Sequence, residues 1–274
     1  MPPKLGIVAG GGTLPARIIA ACRATGRDFF VIAFSGQTDQ ATVRDAPHAW
    51  VKLGAVGDSL AALRKEGVEE LVFAGPVKRP SLNHFNLDMP ALKMLAKIGP
   101  RAFFGDDGLL AGIVRELEHE GFRVLGVNDV LGGLAMPRGP CGRHVPDEMA
   151  QADIARGVAV ARTLGALDVG QAVVVQNGVV LGVEAIEGTD QLLARCAALR
   201  RDGAGGVLVK LAKPGQERRV DLPTIGIETI ARAAQAGLRG IAAEAGGTLI
   251  VDKDAVVAAA DAAGLFVVGI DPAP

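Results

Sequence analysis

Tyrosine is absent from this 274-residue chain, and aromatic residues together make up only 4% of it. Stacking platforms for bases are therefore scarce. The formal net charge is −1 and the basic residues are scattered, so there is no electrostatic footprint for a polyanionic backbone. No nucleic acid is expected as a partner. Cysteine is confined to Cys22, Cys141 and Cys196, far apart and without a CxxC spacing, which argues against a disulfide framework and against a thiolate zinc site. His48, His84, His119 and His144 form no HxH or HExxH pair. The usual signals of a zinc hydrolase are thus missing, and any metal used is expected to be a hard cation held by oxygens. No GxxxxGK[ST] occurs, which excludes a P-loop. Long apolar runs are missing as well. Despite a mean hydropathy of +0.31, no window reaches the roughly 18 uninterrupted apolar residues of a membrane span. The opening MPPKLGIVAG lacks the charged, apolar and small-residue succession of a signal peptide, so the cytoplasm is the expected location.

What is present is aliphatic. Hydrophobic residues make up 49% of the chain, mostly Ala, Val, Leu and Ile, the diet of an α/β protein with small-residue helices on Val-rich strands. The length suits two domains of about 130 residues each. LGIVAG up to Gly10 reads as a buried strand, and Leu14 to Gly26 as an amphipathic helix ending on a glycine cap. Between them lie Gly10, Gly11, Gly12 and Thr13. A glycine turn from strand to helix is either a tight structural turn or a place where unpaired N–H groups meet a phosphate. It is not a full dinucleotide fingerprint, because Pro15 fills the third glycine position and no acidic residue ends the second strand, DFFVIAF.

The alternation continues with WVKLG from Trp50, a helix from Gly57 to Glu66, and ELVFAG up to Gly75. This predicts a parallel, Rossmann-like sheet whose ligands would sit at the turns after Ala9, Phe34 and Ala74. The next loop carries Lys78, Arg79, Ser81, Asn83, His84, Asn86 and Asp88, a binding wall or simply a polar loop. Asp106 and Asp107 open the following helix, either as N-terminal anions or as metal or ribose contacts. RVLGV, near Val127, completes the sheet.

We read residues 1–130 as the Rossmann-like domain, the Gly/Pro-rich stretch 131–145 as a linker, and 146–274 as a C-terminal α/β domain. That second domain opens with a helix from about Glu148 to Leu164. It then carries AVVVQNGVVLGVEA, two Val-rich runs around Asn177 and Gly178. Asn-Gly in that setting predicts a type I′ hairpin, so the second sheet is expected to be mixed. Glu184, Glu187 and Asp190 follow, with Gly188 and Thr189 among them. Thr189 and Asp190 are either capping residues or, with the neighbouring carboxylates, contacts for Mg²⁺ or a sugar.

The densest chemistry lies in GVLVKLAKPGQERRVDLPTIG, Gly206 to Gly226. It places Lys210, Lys213, Arg218 and Arg219 just before the isolated Asp221 and a helix expected from Leu222 to Ala236. Such a run is either a solvated loop or a phosphate site. Glu244, ending a strand before Gly246 and Gly247, stands where a site residue would.

Taken together, AGGGTLP, FAGPVKRP, FFGDDGLL, LDVGQAVVVQNGVVLGVEAIEGTD, GVLVKLAKPGQERRVDLPTIG and GLRGIAAEAGGTLIVDKD resemble the UDP-2,3-diacylglucosamine pyrophosphatases of lipid A biosynthesis. The similarity is to the type unrelated to calcineurin-like phosphoesterases, and it covers nearly the whole chain. It implies a bacterial, dimeric enzyme of two domains with the lipid held between them. Such an enzyme uses Mg²⁺ and water to cleave its UDP-linked diacylated glucosamine into UMP and 2,3-diacylglucosamine 1-phosphate, lipid X. The aspartate matching the family's catalytic residue is Asp221.

Diphosphate hydrolysis asks for charge neutralisation and positioning. On that basis Gly11, Gly12, Thr13, Lys78, Ser81 and Asn86 are candidate substrate contacts in the first half. In the second half they are Gly188, Thr189, Lys210, Lys213, Arg219, Thr224 and Glu244. Asp221, Glu187 and Asp190 are the candidate Mg²⁺ ligands. The acyl chains call for an apolar crevice and allow peripheral contact with the inner membrane. The apolar residues between Asn86 and Phe104 are its expected lining, although Leu92, Met94, Leu95 and Ile98 also fit an ordinary helix core. The competing reading is a non-catalytic nucleotide or lipid-phosphate binding protein. A dehydrogenase is a third, disfavoured by the missing ribose acid.

Overall fold

The computed structural model describes residues 2–77, 87–99 and 106–272. Lys78, Arg79, Ser81, Asn83, His84 and Asn86 lie outside the described residues, as do Phe103 and Phe104 and the side chains of Asp106 and Asp107. The chain forms two compact units. The first is Met1–Gly132 together with Glu217–Asp221, and the second is Gly133–Gln216 together with Leu222–Pro274.

In the first unit, β1 (Leu5–Ala9), β2 (Phe29–Phe34), β3 (His48–Val51), β4 (Glu70–Ala74) and β5 (Arg123–Leu125) form an all-parallel sheet in the order β3-β2-β1-β4-β5. The expected Rossmann-like sheet is present. Leu5, Ile7, Val31, Ile32, Leu71 and Val72 are buried, as strands covered on both faces must be. Helices α1 (Leu14–Thr25), α2 (Gln40–Val43), α3 (Val56–Lys65), α4 (Met89–Ile98), α5 (Asp106–His119) and α6 (Val127–Leu131) connect and cover the strands. Pro15 sits in the first turn of α1, where no N–H is needed, and Gly26 ends it in the left-handed region at φ 67°. The chain runs outward from β1 to β3 and then returns to β4, so the topological switch point lies between β1 and β4.

The second unit contains β6 (Gly139–Pro140), α7 (Glu148–Ala166), β7 (Ala172–Gln176), β8 (Val179–Val183), α8 (Gly188–Ala197) and β9 (Val207–Lys210). These are followed by β10 (Thr224–Ile225), α9 (Ile227–Gln235), β11 (Gly240–Glu244), β12 (Leu249–Ile250), α10 (Lys253–Ala263) and β13 (Phe266–Ile270). Its main sheet runs β6-β13-β11-β9-β7-β8. β9, β11 and β13 are parallel, while the β7–β8 hairpin and β6 are antiparallel. The mixed sheet is thus as expected. Strand alternation sorts the core into two layers. Val173, Val175, Val207 and Val209 pack with α7, and Val174, Leu208 and Ile241 pack with α8, α9 and α10.

The Asn-Gly turn forms as predicted, with Asn177 at φ 52° and Gly178 at φ 74°, the positive pair that a type I′ turn requires. Two other segments differ from expectation. The helix expected from Leu222 begins at Ile227, because Thr224 and Ile225 pair with Leu249 and Ile250 as β10 and β12. Pro223 therefore precedes a short strand rather than opening a helix, and the turn into α9 falls at Gly226. The Gly/Pro-rich stretch before His144 supplies β6 and buries Leu134 and Met136 in the second unit, where the Met136 N–H donates to the Thr248 carbonyl at 2.8 Å.

Candidate functional site

Lys210 ends β9 and is only 6% exposed. Its Nζ donates to Thr189 Oγ1 at 2.9 Å and to the Thr224 carbonyl at 3.2 Å. Thr189, in the first turn of α8, donates its own hydroxyl proton to Glu184 Oε1 at 2.6 Å. Glu184 is buried just after β8, and its Oε2 accepts from the Gln171 N–H at 3.1 Å. The ammonium, hydroxyl and carboxylate thus stand in one hydrogen-bonded row, which is how a buried charge is made tolerable. Glu244 ends the neighbouring parallel strand β11, where Ala243 is level with Lys210, and its Oε2 accepts from the Ala212 N–H at 2.9 Å. Lys210 and Glu244 therefore mark one edge of the sheet, at the carboxyl ends of two parallel strands, where open α/β sheets place their ligands.

The loop leaving that edge is braced internally. Lys213 Nζ lies 2.5 Å from Asp168 Oδ1, and the Lys213 N–H donates to Gln216 Oε1 at 3.0 Å. Gly188 opens α8 at φ 78°, a left-handed conformation that favours glycine. Glu187 and Asp190 face arginines. Glu187 accepts from Arg195 Nη2 at 2.8 Å and Nε at 3.2 Å, and from the Ala185 N–H at 3.1 Å. Its own backbone N–H and Arg195 together hold its carboxyl below the usual carboxylate range. Asp190 lies 3.4 Å from Arg232 Nε.

In the first unit the glycine turn sits at the β1–β4 switch point. The Gly10 N–H donates to the Ala74 carbonyl at 2.8 Å and the Gly11 N–H to the Pro76 carbonyl at 2.9 Å. The two strand ends are in backbone contact here. A Cβ on Gly10 would lie 2.5 Å from the Gly75 and Pro76 carbonyl oxygens, and one on Gly75 would lie 2.0 Å from the Gly11 carbonyl. Thr38 Oγ1 locks the same edge by donating to the Ala9 carbonyl at 2.5 Å. Gly10 is thus required by close packing, and the N–H groups of Gly10 and Gly11 are used within the protein. Thr13 caps α1 through no side-chain hydrogen bond.

The turn Glu217–Asp221 belongs to this unit too. The Val220 and Asp221 N–H groups donate to the Glu217 carbonyl at 3.1 and 3.0 Å, and Val220 packs against the core formed by Phe30, Ile32, Leu71 and Phe122. Arg219 Nε and Nη2 each lie 2.8 Å from a Glu217 carboxylate oxygen, and Nη1 lies 2.5 Å from Glu118 Oε1.

A family model described as the LpxI N-terminal domain matches residues 4–134, and one described as the LpxI C-terminal domain matches residues 137–268. The chain belongs to the LpxI family. It is also 47% identical over 275 residues to a protein of Caulobacter vibrioides named UDP-2,3-diacylglucosamine pyrophosphatase LpxI, covering 98% of each chain.

In this LpxI-family chain the structure brings Thr189, Lys210 and Thr224 together, with Glu244 on the adjacent strand end. Asp221, Arg219 and the glycine turn are in the other unit's inventory. Among the described residues no group of three or more His, Cys, Asp or Glu is placed to hold a metal ion. The part played by Glu184 as the anchor of Thr189 was not evident in the sequence, where it was one carboxylate among several. Glu118, which is 101 residues from Arg219, carried no sequence signal at all.

Proposed function

We propose that this chain hydrolyses the diphosphate bond of UDP-2,3-diacylglucosamine to give UMP and lipid X. The observation that carries this reading is the near-full-length identity to the Caulobacter enzyme of that name, together with family matches on both halves. The stretch Gly206 to Gly226 supplies the two groups the chemistry needs. Lys210, held by Thr189 and the Thr224 carbonyl, presents fixed positive charge to diphosphate oxygens, and Asp221 orients the attacking water and takes up its proton. Thr224, Gly188, Glu244, Lys213 and the Gly11–Thr13 turn are assigned to substrate contact. So are Lys78, Ser81 and Asn86.

Asp221 is a hard oxygen donor and suits Mg²⁺, which keeps several waters and takes only one or two protein carboxylates beside substrate phosphates. Glu187 and Asp190 fit that role less well, because Arg195 and Arg232 face them. When bound, the ion neutralises charge developing on the phosphoryl oxygens. Acyl contact is assigned to α4, where Met89 and Leu92 stay exposed while Ala91 and Ile98 are buried. No helix among the described residues is long and apolar enough to cross a membrane. A cytoplasmic homodimer making peripheral contact with the inner membrane completes the proposal.

The test is release of UMP from UDP-2,3-diacylglucosamine by the purified chain in Mg²⁺. Asp221→Ala should lower kcat by about a thousandfold, the scale of losing a general base, while still retaining lipid by mass spectrometry. Chelation should abolish turnover, and returning Mg²⁺ should restore it. Wild-type turnover in Asp221→Ala would remove the assignment.

A further inference from the structure

We propose that Arg219 is a positioning residue and not a phosphate ligand: with Glu217 and Glu118 it clamps the turn that carries Asp221 onto α5. The inference rests on the proposed role of Asp221. The geometry behind it is independent of that role. All three guanidinium nitrogens are engaged by carboxylates, Nε and Nη2 by Glu217 at 2.8 Å each and Nη1 by Glu118 at 2.5 Å. The Glu217 arm is a two-point fork, the arrangement that fixes a guanidinium in orientation as well as in place. The Arg219 guanidinium is matched by two carboxylates, with Arg115 also acting on Glu217, so its charge is already compensated within the protein before a diphosphate approaches. Both neighbours stabilise the charged form of Arg219, and Arg219 holds the Glu217 carboxyl below the usual carboxylate range.

Glu217 connects this ion cluster to the residue that matters. Its side chain binds the guanidinium, its carboxylate also accepts the Arg219 N–H at 3.2 Å, and its carbonyl receives the amides of Val220 and Asp221. Val220 anchors the same turn in the apolar core of the first unit. The Arg219 backbone also passes against Gly126 at the start of α6, its Cα 3.6 Å from where a glycine Cβ would be. The turn is thus pinned by main chain, by an apolar side chain and by one guanidinium reaching α5. Partly exposed ion pairs contribute little to stability. Their effect here is on placement, since a catalytic group displaced by about 1 Å can lose about a hundredfold in rate.

The decisive variant is Glu118→Gln, on an exposed position of α5. A phosphate-binding Arg219 would be released by this change, so UMP release would hold or improve. A positioning Arg219 would lose one of its two anchors, so kcat should fall about tenfold or more with KM within about twofold of wild type. Glu116→Gln serves as control. It removes the Lys97 pair from the same helix without touching residues 217–221, and should match Glu118→Gln in thermal stability while keeping wild-type kcat. Hydrogen exchange of the peptide spanning 217–221 should quicken in Glu118→Gln and not in Glu116→Gln. Arg219→Lys, which keeps the charge but not the fork, should behave as Glu118→Gln does. Wild-type kcat in Glu118→Gln, or a raised KM with kcat intact in Arg219→Lys, overturns the clamp. An inactive wild type, or an active Asp221→Ala, instead overturns the diphosphatase reading on which it rests.

Discussion

Lys210 is a buried ammonium whose direction is set by a hydroxyl. Thr189 stands between it and Glu184, accepting from one and donating to the other. Replacing Thr189 by Val keeps the shape and removes both bonds, leaving a buried cation and a buried carboxylate each short of a partner. The cost should be about 1–3 kcal/mol, read as a lower urea midpoint, and kcat for UMP release should fall with it. Thr189→Ser keeps the hydroxyl and should recover most of the rate. An equal loss of rate in Val and Ser variants would show that the methyl group, not the hydroxyl, matters. At this scale the sequence was informative about residue types and uninformative about pairs. Lys210, Thr189 and Thr224 could be singled out as candidate substrate contacts, but only the fold shows that they meet. Arg219 looked like Lys210 in the sequence, a cation beside Asp221. Its engagement by Glu118 depends on a tertiary contact that no local pattern encodes.

Among the elements, the hairpin shows local chemistry and tertiary support agreeing. Asn177 and Gly178 favour the turn by conformation, and Asp153 of α7, 1% exposed, accepts from both of their N–H groups at 3.0 and 2.6 Å. Asp153→Ala should destabilise the chain by about 2–3 kcal/mol, as expected for hydrogen bonds to a charged acceptor, whereas Asp153→Asn, which keeps one acceptor, should cost less. Chemical denaturation of the two variants checks the order; equal midpoints would mean that Asn177 and Gly178 hold the turn unaided. The parallel strands of both units were legible as Val- and Ile-rich runs bounded by glycine, because burial on both faces leaves that signature. Two short strands were not. β10 is two residues long and β6 is Gly139–Pro140, too brief for any periodicity, and Pro223 reads equally well as the start of a helix or the approach to a strand.

Over the whole molecule, the sequence divides more simply than the structure does. The two family matches split the chain once, between residues 134 and 137, whereas its contacts return residues 217–221 to the first unit. The catalytic carboxylate assigned by resemblance therefore sits on a five-residue excursion, and a fragment cut at the linear boundary would lack it. Fragment 1–132 would also lose the half-buried Val220 side chain over the Phe30, Ile32 and Leu71 core and the Arg219 pair with Glu118. Partial burial of a valine contributes about 1 kcal/mol and an exposed ion pair up to about 1 kcal/mol. Joining residues 215–223 to the C-terminus of the fragment through a flexible Gly/Ser linker should therefore raise its unfolding free energy by about 1–2 kcal/mol, measured by urea denaturation. Val220→Ser within the tethered segment should remove most of that gain. If the tether adds nothing, the excursion does not contribute to the first unit's stability, and the assignment of Glu217–Asp221 to that unit would rest on proximity alone.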